Sequence, residues 1–172
     1  IDSDTTIDEI INKTKKYITD GKVLAIVVRK GTFEKDKRSF DTQEYLPKRK
    51  EALKKIVSIF SKETLFISTT GKLSRELYQI RKNSNEECND LYVVGGMGHA
   101  SAISAGMLNK VKEKTIVCLD GDGSVLMHMG SLATLANIKA KNFFHIIFNN
   151  SAHESVGGQP TIYNMLDTKK LY

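Results

Sequence analysis

Long apolar runs are missing from this sequence. None approaches the roughly 20 consecutive apolar residues that a membrane-spanning helix needs, so no membrane partner is expected. The first residues, Ile1-Asp2-Ser3-Asp4, contain neither a basic n-region nor an apolar h-region, so no secretory signal is expected. They also lack an initiator Met, which suggests a cut or partly ordered chain. Cysteine is scarce: Cys88 and Cys118 make a poor disulfide framework. Cys118 lies inside an apolar run and is expected to be a buried small hydrophobe, which fits a reducing, cytoplasmic compartment. Zinc-finger spacing, RNA-binding aromatic motifs, internal repeats and low-complexity tracts are all absent.

The charge balance is +6, which raises the alternative of a basic nucleic-acid binder. The lysines, however, are spread along segments such as Lys48-Arg49-Lys50 and Lys54-Lys55, as on a solvated face. No nucleic-acid partner is expected, and the positive charge would instead favour an anionic small molecule. A chain of 172 residues with 40% hydrophobic and 27% charged residues is ordinary for one substantial soluble domain.

The chain is organised around Gly121 to Asn150 and the strand-like run that leads into it. A strand-like run, Thr115 to Asp120, breaks at Gly121-Asp122-Gly123, passes through an amphipathic helix, and returns as the apolar run Phe143 to Phe148 before Asn149-Asn150. In a parallel sheet this puts a carboxylate and a carboxamide on the same edge, where ligands of open α/β sheets bind. Such oxygens suit a hard cation like Mg2+ completed by phosphate and water. The glycines allow close approach of backbone to a phosphate, and the helix N-terminus offers free N–H groups.

Along the rest of the chain, Thr6 to Glu9 reads as a capping box opening a helix with Ile7, Ile10, Ile11, Tyr17 and Ile18 on one face, ended by Asp20-Gly21. Val23 to Val28 reads as a buried strand. Glu34 to Glu44 is charged and aperiodic, a linker and the best domain boundary. Then follow a helix after Pro47 (Leu53, Ile56, Val57, Phe60), a strand Thr64 to Ser68 and a helix with Leu73, Leu77 and Ile80 inward. A polar loop, Asn83 to Asp90, leads to a short strand Leu91 to Val94 and a helix Ser101 to Leu108 rich in small residues. This order predicts an α/β fold with a mainly parallel sheet, right-handed crossovers and helices on both faces. The α/β domain looks unfinished at Leu171-Tyr172, with further strands expected.

GDG after a buried strand, with NN closing the next strand and residues 124 to 148 between them, resembles the thiamine-diphosphate signature. Five segments resemble the phosphonopyruvate decarboxylases within that family: Val28 to Phe33; Thr69-Thr70-Gly71 with Ser74-Arg75-Glu76-Leu77; Gly96-Met97-Gly98-His99-Ala100; Leu126 to Gly130; and Asn149 to Thr161. Sulfopyruvate decarboxylase is similar across GDG and Gly157-Gly158-Gln159-Pro160-Thr161 and is the alternative, as is a non-catalytic Mg2+–phosphate binding fragment.

The resemblance implies a thiamine-diphosphate-binding fold. Residues 1–43 would be the tail of a pyrimidine-binding domain plus linker, and residues 44–172 a diphosphate-binding domain incomplete at its C-terminus. It implies decarboxylation of 3-phosphonopyruvate to phosphonoacetaldehyde and CO2, in phosphonate biosynthesis, with thiamine diphosphate and Mg2+ as cofactors. Asp122, Asn150 and the carbonyl of Ala152 would hold the metal. Gly121, Gly123 and Ser124 would contact the diphosphate, with Thr70 and Gly71 on its other side. Gly95 would offer a carbonyl to the aminopyrimidine, and Met97 would sit under the bend between the cofactor rings, unless it is simply a core residue. His153 and His99 are the candidates for substrate handling, His128 a structural histidine. The partners implied are a small anionic 2-keto acid and a pyrimidine-binding domain of the same or another subunit, in a homodimer or larger homo-oligomer. The family's activating glutamate matches no residue here, so the chain alone is expected to be inactive.

Overall fold

The computed structural model describes residue 1 and residues 5–33, 48–87, 89–167 and 170. The linker read over Glu34 to Glu44, Pro47 and Cys88 lie outside the described residues. The chain divides into two compact units, Ile1–Ser39 and Phe40–Tyr172.

In the first unit, α1 (Ile7–Thr19) starts where the sequence placed it. The Thr6 side chain accepts from the Glu9 N–H while the Glu9 carboxylate accepts from the Thr6 N–H, a complete capping box. None of its residues is buried; Ile7 and Ile18 stay largely exposed. Val23 to Val28 corrects the sequence reading, because it forms no strand and Val23 and Val27 are exposed. A strand needs a ladder, and among the described residues the extended run is tied to Ile1 at one end without forming one. The Ile1 amine donates to the Val27 carbonyl and the Arg29 N–H to the Ile1 carbonyl, both at 3.0 Å.

The second unit carries α2 (Arg49–Ile59), β1 (Leu65–Ser68), α3 (Lys72–Asn83), β2 (Leu91–Tyr92), α4 (Ala100–Leu108), β3 (Ile116–Gly121), α5 (Asp122–Met127), α6 (Gly130–Ile138) and β4 (Phe143–Phe148). The four strands pair in parallel, in the order β2-β1-β3-β4. Strand alternation sends Phe66, Val117 and Leu119 to one face, where they pack with Leu53 of α2 and Leu73, Leu77 and Ile80 of α3. Leu65, Ile67, Ile116 and Cys118 go to the other, against Ala100, Ala105 and Leu108 of α4 and Leu135 of α6. The result is the α/β fold with helices on both faces that the sequence predicts. Burial of both faces is what the near-continuous apolar runs of β1 and β3 dictate. The buried Arg81 closes the β2 end: its Nε donates to Asp90 at 3.0 Å, its Nη1 to Glu86 at 2.8 Å, and its guanidinium lies 5.0 Å from the Phe66 ring centroid.

Two local readings change. The single helix expected between β3 and β4 is two short ones, α5 and α6, interrupted at His128-Met129. The Ser131 hydroxyl donates to the His128 carbonyl at 2.8 Å, a local bond that competes with a continuous helix. After β4 there is no further long helix among the described residues. A small antiparallel pair, β5 (Ala152–His153) and β6 (Gln159–Pro160), encloses a 3-10 turn at Glu154–Val156.

Candidate functional site

The parallel register brings the ends of β3 and β4 together, with Gly121 opposite Phe148 as the last pair. Strand and helix are fused without a loop there: Gly121 ends β3 and Asp122 begins α5. Asn149 and Asn150 follow β4 directly. Both carboxamides organise the backbone beyond the strand. Asn149 Oδ1 accepts from the Ser151 N–H at 2.9 Å and Asn150 Oδ1 from the Ala152 N–H at 3.2 Å. These local bonds hold Ser151 in the left-handed region at φ 56°.

A cavity of about 440 Å3 opens over this edge. Of the residues singled out in the sequence, Thr70, Gly71, Met97, Gly121, Asp122, Gly123, Ser124, Asn150, Ala152 and His153 line it. Gly95 and His99 do not line it. His99 instead lies against His128, ring centroids 4.1 Å apart, and its Nδ1 is 3.2 Å from the Met97 carbonyl oxygen.

Asp122 is buried, and its Oδ2 accepts from the Thr161 hydroxyl at 2.6 Å, leaving Oδ1 for a cation. The Ser124 hydroxyl is already committed, to Thr69 Oγ1 at 2.7 Å and to the Gly98 N–H at 3.0 Å, so its N–H is what remains for an anion. Gly98 adopts φ 86°, and a Cβ there would fall 2.6 Å from His128 Cδ2, so this loop closes on α5 only as glycine. The Thr70 hydroxyl donates to the Val93 carbonyl at 2.6 Å, locking the β1 end to the segment after β2.

Sequence reasoning missed a buried group beneath the edge. Cys118, Asp120 and His145 place one ligand-type atom each within 4.8 Å of one another. His145 Nε2 lies 3.4 Å from Asp120 Oδ2, and Asp120 Oδ1 accepts from the Gly121 N–H at 3.1 Å. No motif marks it: Asp120 and Cys118 sit two apart on β3, and only the parallel register sets His145 opposite Cys118. Burial raises the Cys118 thiol well above its ordinary range, with Asp120 adding to the effect. Three donors fall short of the four of structural metal sites. The group is a packed polar pair beside a thiol.

Residues 69–171 match the family described as thiamine pyrophosphate enzyme, C-terminal TPP binding domain. The chain belongs to that family. Thiamine pyrophosphate, or diphosphate, is therefore its cofactor, and the residues present fit it. The donor set of Asp122, Asn150 and Ala152 is all oxygen, which suits the hard Mg2+ ion usual beside the diphosphate. The Gly121 to Gly123 backbone faces the cavity, and a Cβ on Gly123 would strike His153 Nδ1 at 2.7 Å. Among relatives, phosphonopyruvate decarboxylase of Streptomyces viridochromogenes is 37% identical over 121 residues, which are 70% of this chain and 29% of that protein. Its counterpart in Streptomyces hygroscopicus is 38% identical over a stretch of the same coverage. Sulfopyruvate decarboxylase subunit beta of Methanocaldococcus jannaschii is 39% identical over 115 residues, 67% of this chain and 58% of that subunit. The chain thus spans between about a third and three fifths of the length of these relatives. None of the helices among the described residues is long and apolar enough to cross a membrane.

Proposed function

We propose that this chain is the diphosphate- and Mg2+-binding half of a decarboxylase acting on 3-phosphonopyruvate, releasing CO2 and phosphonoacetaldehyde. The observation that carries the reading is the single cavity into which Asp122, Asn150, Ala152, Gly121, Gly123, Met97 and His153 all face. Asp122 through Oδ1, Asn150 through its carboxamide oxygen and Ala152 through its carbonyl would hold Mg2+. The N–H groups of Gly121, Gly123 and Ser124, with Thr70 and Gly71 opposite, would bind the diphosphate. Bound there, thiamine diphosphate supplies the electron sink that loss of CO2 from a 2-keto acid requires. Met97, half-buried on the cavity wall, would support the cofactor between its two ends. The side chain of His153 lies over Gly123, where an incoming keto acid meets the site, and it would orient the substrate or move a proton to the product carbon.

A second reading, sulfopyruvate decarboxylation, has its own support: a relative of which this chain covers 58%, against 29% for the phosphonopyruvate decarboxylases, is a separate beta subunit of such an enzyme. In either case the other half of the cofactor cleft would come from a pyrimidine-binding domain of the same or a second polypeptide, in a cytoplasmic dimer or larger assembly. The deciding experiment is CO2 release by the intact protein with thiamine diphosphate and Mg2+, given 3-phosphonopyruvate and sulfopyruvate in parallel. Turnover of the phosphonate by preference supports the first reading. Preference for the sulfonate establishes the second, and turnover of neither sinks both.

A further inference from the structure

Two helices begin at one wall of this cavity, and each begins with a cation. α2 opens at Arg49 and α3 at Lys72, and neither preceding residue, Lys48 or Gly71, supplies a side-chain cap. Positive charge is disfavoured at a helix N-terminus, which already carries a partial positive charge. Two such conflicts side by side are the kind of local inconsistency that functional sites retain.

The charges are held in a definite arrangement. Arg49 donates from Nε and Nη2 to the two oxygens of Glu76, both at 2.9 Å, a fork that fixes the guanidinium plane. Its remaining edge, Nη1, donates to Glu154 Oε2 at 2.9 Å, while Lys72 Nζ donates to Glu154 Oε1 at 2.5 Å. One carboxylate is thus bracketed, an oxygen to each cation, and the Glu154 carboxyl is held below the usual carboxylate range by Lys72 first and Arg49 second. Arg49, Lys72 and Glu154 all line the cavity, and Glu154 directly follows His153.

We infer that Arg49 and Lys72 form the cradle for the second anionic group of the substrate, the tetrahedral oxyanion on C3, and that Glu154 fills this cradle until substrate displaces it. The inference rests on the decarboxylase reading above. Displacement is easy: the Lys72 and Glu154 side chains are 46% and 43% exposed, and ion pairs so open to water contribute only about 0–1 kcal/mol. A phosphonate brings more charge and a third oxygen to the same two donors. The cofactor's diphosphate has its own counter-charge in Mg2+ and its own N–H donors at Gly121, Gly123 and Ser124. None of those groups is left to neutralise the substrate's C3 anion. When Glu154 leaves, the turn at Glu154–Val156 loses its tether to α2 and α3, and His153 is freed to adjust to the keto acid.

The test uses the intact protein with thiamine diphosphate and Mg2+. Lys72→Met should lower kcat/KM for the C3-oxyanion keto acid about tenfold or more relative to pyruvate, which lacks the second anion. Thiamine diphosphate affinity, by calorimetry, should stay within about twofold. Independently of turnover, calorimetric titration with methylphosphonate should show binding that weakens about tenfold in Lys72→Met and tightens in Glu154→Gln, where the competing carboxylate is gone. Equal losses on pyruvate and on the oxyanion substrate would overturn the cradle. So would cofactor affinity falling in step with Lys72→Met, which would hand these cations to the diphosphate, or weaker methylphosphonate binding by Glu154→Gln. If methylphosphonate behaves as expected but the wild type decarboxylates neither keto acid, the decarboxylase reading fails and the oxyanion cradle stands.

Discussion

The imidazole of His153 occupies the space that a side chain on Gly123 would need: a Cβ built there lies 2.7 Å from Nδ1 and 2.9 Å from Cε1 of the ring. The second glycine of GDG and the histidine after the NN loop are therefore one packing unit, although they stand 30 positions apart in the chain. Each residue limits the other. The glycine lets the ring sit over the start of α5, and the ring covers backbone that the diphosphate would reach.

Gly123→Ala should leave the fold intact, because its neighbour is a side chain on a surface turn that can swing away. It should weaken thiamine diphosphate binding in the presence of Mg2+ by about tenfold. Adding His153→Ala should restore affinity toward wild type while turnover stays low. Calorimetry and steady-state rates on the three variants check this. An affinity unchanged by Gly123→Ala would remove the glycine from the diphosphate site.

Asp122→Asn removes a carboxylate charge from the proposed Mg2+ shell and should cut metal-dependent cofactor affinity about tenfold or more. Thr161→Val removes only the bond that holds Asp122 Oδ2, so its loss should be smaller. Calorimetric titrations with and without Mg2+ give both numbers, and equal affinities for Asp122→Asn and wild type would refute the metal assignment.

Cys118 should resist thiol reagents in the native protein at pH 8, since it is fully buried and its thiol is pushed up by burial. The linkage sign follows from that direction. Below the ordinary value of 9.0 the thiol is protonated in both states; above it the unfolded chain ionises and the native chain does not. Stability should therefore fall as pH rises past that value. Urea midpoints at rising pH should show a steeper alkaline decline for wild type than for Cys118→Ala, and parallel curves would contradict the burial argument.

His145→Phe should destabilise the fold by about 1–3 kcal/mol, because it withdraws the group 3.4 Å from a fully buried carboxylate oxygen. The double variant with Asp120→Leu should recover part of that loss. Additive losses in urea denaturation would mean that the two residues are not coupled.

Most of the second unit was legible because its signals are repetitive. β1, β3 and β4 announce themselves as apolar runs, and α3 shows Leu73, Leu77 and Ile80 at helical spacing, all of which the structure buries. Val23 to Val28 misled for the same reason: composition records the preference for a strand, but a strand also needs a ladder, and none forms there among the described residues. The break at His128-Met129 was invisible because periodicity ignores side-chain bonds such as that of Ser131. Within the cavity, residue identity pointed to Asp122, Asn150 and Gly123. The Arg49–Glu154–Lys72 cluster was hidden, since its members stand in three elements and each alone is an ordinary surface charge. His145 escaped notice because a histidine inside an apolar strand carries no motif; only its register opposite Cys118 exposes its neighbour Asp120.

The direct passage from β3 into α5 makes the proposed metal site a gauge of strand alignment. Asp122 stands one residue past the last register pair, and Asn150 two residues past it, on adjacent strands spaced about 4.8 Å apart. No loop lies between β3 and Asp122 to absorb an error. A slip of one residue between these strands would turn the side chains of β4 to the wrong face and would present Asn149 or Ser151 where Asn150 now stands. Deleting one residue from the segment 139–142 should thus abolish Mg2+ binding even if the sheet still forms, so metal affinity reads out the pairing of β3 with β4 without any view of the strands themselves.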